Sequence, residues 1–172
     1  MKLRLLPASL LLSCTLTHAA DPKPIAKPLE EQVSRLVALI KDSYATGHPE
    51  LAEVQTLRTG KNSQVTLTVF NIEAFGMGNN YRQYLAAFSP DTNEKNEVHY
   101  SLLDVIQIGG DGWRAIEGLD AKLVRDPTGK QILIDIPVMV NIPGDSVNAP
   151  SSAEVIHLSL GEVRSPRIVE KN

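Results

Sequence analysis

The sequence predicts an α+β fold: an N-terminal amphipathic helix packed on an antiparallel β-meander of about five to six strands. Three observations carry that expectation. Residues 28–46 repeat their apolar side chains at helical spacing. From Leu51 onward the apolar period changes to two. The period-two segments are joined by short turns rich in Gly, Asn and Asp, and such turns link neighbouring strands antiparallel.

Ahead of the helix, residues 1–20 (MKLRLLPASLLLSCTLTHAA) carry the marks of a signal peptide. Lys2 and Arg4 form a basic start, Leu5 to Leu16 an uncharged apolar run, and Thr17 and Ala19 the small residues a signal peptidase reads. The run is too short to anchor the chain across a bilayer, which takes about 20 residues. The only cysteine, Cys14, follows Leu11-Leu12-Ser13 and resembles in part a bacterial lipobox, although Leu12 stands where that motif usually has a small residue. Cys14 is therefore either a lipidation site or an apolar member of the leader. With the leader removed, no thiol or disulfide chemistry remains. The charge then falls from −3 to −5, because Lys2 and Arg4 leave with it.

Residues 21–28 hold three prolines and read as an extended linker, and residues 29–172 as a single domain. Pro28 opens the helix where its missing N–H costs nothing. Leu29, Val33, Leu36, Val37, Ile40 and Tyr44 form its stripe, and Gly47 with Pro49 ends it. Residues 54–59 and 64–73 then form a hairpin around Gly60–Ser63, with Val65, Leu67 and Val69 on one face. Tyr81 to Phe88 fits both a helix and a strand paired with residues 97 onward; strand is the expectation. Residues 97–108 and 113–125 flank the turn Gly109–Gly112. Asp126–Lys130 is a type I turn with a bulge-forming glycine, leading into residues 131–141, where Ile132, Ile134, Ile136, Val138 and Val140 share a face. A loop at 142–150 precedes a last strand at 153–160, which resumes near Arg167.

The composition excludes several function classes. A chain that is 42% apolar is not a disordered tail. A net charge of −3 offers no basic excess for phosphates, so no nucleic-acid partner is expected. His48, His99 and His157 lie on separate elements with no metal-ligand spacing, and no cofactor is expected. Gly76-Met77-Gly78 lacks the third glycine of a dinucleotide loop, since that position is Tyr81, and it reads as a β-turn or bulge.

Two features remain as candidate chemistry. Asp104 takes an apolar-face position in the series Val98, Tyr100, Leu102, Asp104, Ile106, Ile108. It is either a buried acid suited to proton transfer, or a register break or ion pair with Arg82 or Arg114. Seven of the eight aromatic residues fall between Phe70 and Trp113. Phe75, Tyr81 and Trp113 stand beside glycine-rich turns, and with Arg114 they form the candidate binding site.

One helix followed by an antiparallel meander resembles in outline the cystatin-like and NTF2-like folds. The resemblance covers element order alone, and such folds host enzymes, inhibitors and scaffolds alike. The leading functional expectation is an exported bacterial envelope protein, periplasmic or secreted, that binds a small apolar ligand or a protein partner without catalysis. The rivals are a cofactor-independent enzyme using Asp104 with His99 or His157, and a structural or assembly accessory of the envelope, lipid-anchored through Cys14. Sequencing the mature N-terminus is expected to show cleavage after Ala19 or Ala20; an intact Met1 in the cytoplasmic fraction would overturn the export reading.

Overall fold

The computed structural model describes residues 24–161 and 166–171, so the expected leader over residues 1–20, its expected cleavage site and Cys14 lie outside the described residues. Among the described residues one α-helix, α1 (Lys27–Ile40), accompanies strands β1 (Thr46–Gly47), β2 (Glu53–Arg58), β3 (Gln64–Glu73), β4 (Tyr81–Thr92) and β5 (Val98–Gly110). The strands continue as β6 (Arg114–Ala115), β7 (Lys122–Val124), β8 (Ile132–Val140), β9 (Ser152–Leu160) and β10 (Ile168–Lys171). All pairings are antiparallel, in the order β1-β3-β4-β5-β6-β8-β9-β10, with β2 also on β3 and β7 also on β8. The α+β class is therefore correct, while ten strands replace the five or six expected. Part of the excess is short pieces, because β1, β6 and β7 hold only two or three residues each.

Pro28 stands in the first turn of α1, and Leu29, Val33, Leu36 and Val37 are its buried stripe. The helix stops at Ile40, six residues before the expected end. Asp42 is the physical reason: its Oδ1 accepts the N–H groups of Tyr44 (2.9 Å) and Ala45 (2.8 Å), giving the backbone an alternative to another helical turn. Tyr44 is consequently exposed rather than part of the stripe.

Around β3 and β4 the sheet buries both of its faces. On one, α1 covers Phe70, Ile72, Tyr84, Ala86 and Phe88 of β3 and β4. On the other, Leu67, Val69, Leu85 and Ile108 meet Ile134, Ile136, Val138, Ile156 and Leu158 of β8 and β9. One continuous sheet brings these strands together by folding over between β5 and β6, which are joined only through the pair Gly110–Arg114. Residues 81–88 are strand, because Tyr84, Ala86 and Phe88 face the helix while Leu85 and Ala87 face the second core. That leaves neither face free to be a helix exterior.

Two expectations about β5 and its successor are corrected. Opposite β4, Ala87 pairs with Asp104 but Phe88 with Leu102, so one residue is bulged out. The slip exchanges the two faces: Tyr100 packs on the helix side, whereas Ile106 and Ile108 pack in the second core. The single apolar face read for residues 98–108 does not exist. Residues 113–125 are likewise not one strand. Between β6 and β7 the chain leaves the ladder, and side chains take over its pairing. The Gln83 amide exchanges hydrogen bonds with the backbone of Ile116 (2.7 and 3.0 Å), and Gln55 does the same with Ala121 (2.7 and 2.9 Å). Glu53 accepts the N–H of Leu119. Buried backbone groups are thus satisfied without a neighbouring strand.

Val37 fixes how closely α1 approaches the sheet, since a Cβ added to Gly47 would stand 2.7 Å from its Cγ1. Replacing Val37 by Asp places an unpaired charge at that contact and should cost about 3 kcal/mol or more. Urea unfolding checks this, and wild-type stability would mean that the stripe does not hold the helix to the sheet.

Candidate functional site

The loops that leave α1, β3 and β5 meet at one end of the molecule. The loop after β3 carries unusual backbone strain: Ala74, Gly76 and Met77 all have φ near +60° (62°, 60° and 61°), a conformation costly for the two non-glycine residues. Side chains hold it there. Asn80 clamps Phe75 at two points, accepting its N–H (3.1 Å) and donating to its carbonyl (3.0 Å). Asp42, just past α1, accepts the N–H of Gly76 at 2.8 Å. Three backbone N–H groups thus surround the Asp42 carboxyl and, with Arg82 nearby, hold it below its ordinary value of 3.8.

These loops enclose a cleft of about 780 Å³. Ile40, Lys41 and Asp42 form one side, Phe75 and Gly76 another, Arg82 and Gln107 the floor strands, and Asp111 with Trp113 the far wall. Arg82 is exposed, and its guanidinium carbon lies 4.1 Å from the centre of the Phe75 ring. Asp111 accepts the N–H of Tyr81 at 3.2 Å through one oxygen, while its other oxygen is buried without a partner among the described residues.

Of the four residues nominated from sequence, Phe75, Tyr81 and Trp113 border this one cleft. Tyr81 also reaches the neighbouring depression beside Glu117, and desolvation together with Asp111 and Glu117 pushes its phenol up. Trp113 is 42% exposed. Arg114 is not at the surface. It is buried beneath Trp113, its guanidinium 4.2 Å from the indole centre. Its Nε donates to the Ile108 carbonyl (2.7 Å), and its two terminal nitrogens form a fork on Glu170 of β10 at 2.7 Å each. That pair holds the Glu170 carboxyl below its ordinary value. Arg114 therefore supports the cleft wall without lining it.

Asp104 shows the same transfer from candidate chemistry to scaffold. It stands beside the bulge, as a register break predicts, and its Oδ2 accepts the N–H of Ile168 at 2.7 Å. Neither Arg82 nor Arg114 is its partner among the described salt bridges. The histidines proposed beside it do not join it. His157 bonds Asp135 at 2.7 Å, and His99 is paired across the ladder with Asp91. Gly76-Met77-Gly78 is a strained turn, not a phosphate loop.

The sequence reading missed Lys41, Asp42, Asn80, Arg82 and Gln107 as parts of the site. Arg82 alone left a signal, a cation sharing strand parity with the apolar Tyr84, Ala86 and Phe88. Among the described residues no group of three His, Cys, Asp or Glu is close enough to hold a metal ion, and no helix is long and apolar enough to cross a membrane. No protein-family model, no curated protein and no solved structure matches this chain.

Arg114 and Trp113 should differ sharply under mutation. Arg114→Ala leaves Glu170 and the Ile108 carbonyl without their donor, at a cost of about 2–4 kcal/mol. Trp113→Ala, at a half-exposed ring, should cost less than about 2 kcal/mol. Thermal unfolding of the two variants checks the order, and a reversal would make Trp113 the core residue.

Proposed function

We propose that this chain is an exported protein of the bacterial envelope that acts as a non-enzymatic binding module, with the Phe75–Trp113 cleft as its recognition surface for a protein partner. The observation that carries the reading is the convergence of two aromatic rings, half-buried Phe75 and half-exposed Trp113, each with a guanidinium carbon over it (4.1 and 4.2 Å), in one cleft built from three pinned loops. Arginine and aromatic side chains dominate binding energy where they occur together. Pinned loops lower the ordering cost of association. The polar residues nominated for acid–base work have local structural partners instead, Asp104 with Ile168 and His157 with Asp135.

A second reading, a small apolar ligand, is favoured by a separate groove of about 730 Å³ between α1 and β2, where Ile25, Leu29, Leu51, Val54 and Tyr100 gather. The two readings separate by mutation. Envelope extract is passed over the immobilised mature protein, and captured material is identified by mass spectrometry. Phe75→Ala and Trp113→Ala should abolish capture of a protein that the wild type retains, while Leu51→Ser leaves it intact. Capture that survives both aromatic substitutions would overturn the cleft as the recognition surface.

A further inference from the structure

The charges around the cleft specify more than its aromatic walls do. Four charged side chains of both signs line it, Lys41, Asp42, Arg82 and Asp111, so its formal charge is balanced. Their hydrogen-bonding capacity is not balanced. Asp42 turns both oxygens onto the backbone N–H groups of Tyr44, Ala45 and Gly76. Asp111 directs one oxygen to the Tyr81 N–H and keeps the other buried. Arg82 and Lys41, in contrast, are exposed and make no salt bridge among the described residues. From its charged side chains the cleft therefore offers an incoming group donors, the guanidinium of Arg82 beside Asp42 and the ammonium of Lys41. Arg82 is further pre-organised, because its guanidinium carbon sits over the Phe75 ring, 4.1 Å from the ring centre.

We infer that this cleft takes a carboxylate carried on a peptide segment of the partner, with Arg82 and Lys41 as its cationic contacts. The inference rests on the binding reading above and narrows it to an acidic segment. A carboxylate matches the guanidinium fork in shape and charge. It fills only a small part of a cleft of about 780 Å³, whose remaining lining sets Ile40, Phe75 and Trp113 beside the polar Asn80, Tyr81 and Gln107. The ligand thus needs a larger body with both apolar and hydrogen-bonding groups beside its charge, which the aliphatic side chains and backbone amides of an acidic peptide provide.

Trp113 makes the test direct, since it is the only tryptophan in the chain and stands in the cleft wall. Its emission is followed in the mature protein during titration with acetyl-Ala-Glu-Leu-Glu-Ala-amide, with the same peptide carrying Gln for Glu, and with glutarate. The Glu peptide should shift the emission saturably, and the Gln peptide should bind about tenfold more weakly or worse. The Glu affinity should fall as salt rises from about 0.05 to 0.3 M, because exposed charges are screened over that range. Arg82→Gln should weaken the Glu peptide about tenfold and Lys41→Gln by less, while Arg35→Gln, a control on exposed α1 surface, leaves it unchanged. Equal binding of the Glu and Gln peptides would overturn the carboxylate inference but leave the binding cleft standing. Glutarate binding as tightly as the peptide would overturn the peptide source in favour of a free small acid. No response of Trp113 to any of the three would overturn this inference, while loss of envelope-protein capture in Phe75→Ala and Trp113→Ala would still support the cleft reading.

Discussion

The structure depends on a corner. A sheet that buries both faces of one half against different layers has to fold over, and it does so at Gly109 and Gly110, where β5 gives way to β6. A Cβ at Gly109 would collide with the Arg114 carbonyl oxygen, and one at Gly110 would stand 2.9 Å from that of Tyr81, at a φ of 150° that side chains avoid. The backbones pass too closely for any other residue. Arg114 then locks the corner, reaching back to the Ile108 carbonyl and forward to Glu170 on the last strand. Only the Arg114 half of this pair is buried, the Glu170 side chain being 41% exposed, so the pair adds little net stability, but losing Glu170 would leave the buried guanidinium without its counter-charge. The Arg114–Glu170 fork is best understood as fixing which strands meet.

The same economy of polar side chains runs through the second core. Asp104 of β5 accepts the Ile168 amide, so β10 is tied to the rest of the sheet at Asp104 as well as at Arg114. Gln83 and Gln55 supply ladder-like hydrogen bonds to residues 116 and 121, where the chain crosses without a strand. An amide side chain carries one donor and one acceptor in the arrangement of a peptide unit, which is why Gln suits this purpose and a charged residue does not. Polar residues that looked available for chemistry are thereby committed to holding the fold.

The cleft is a consequence of that architecture. Folding at Gly109–Gly110 places Trp113 at the same end as the exit of α1, and the Asp42–Gly76 hydrogen bond draws the strained loop after β3 against it. The Arg114 guanidinium beneath the indole couples the wall of the cleft to the corner itself. Site and scaffold therefore share a residue, and a change in the corner is felt in the cleft through Trp113.

The sequence by itself determined the helix start, the strands from residue 53 to 73, the turn at Asp126–Lys130, and the face shared by Ile134, Ile136 and Val138. All of these follow from local periods and turn chemistry, which are written in consecutive residues. It also brought together Phe75, Tyr81 and Trp113, because aromatics beside glycine turns are visible as such. Only the tertiary structure decided that the helix ends at Ile40, since a side chain two residues on competes for the backbone. Only it decided the bulge before Asp104, which exchanges the faces of β5 without altering its composition. The burial of Arg114 was settled in the same way, for its partner Glu170 lies 56 residues away. Arg82 joined the cleft through the ring of Phe75, set in place by a loop whose shape depends on Asp42. Period and composition record which face a residue prefers, whereas register, folding-over and long-range pairing depend on elements that are distant in the chain and meet only in space.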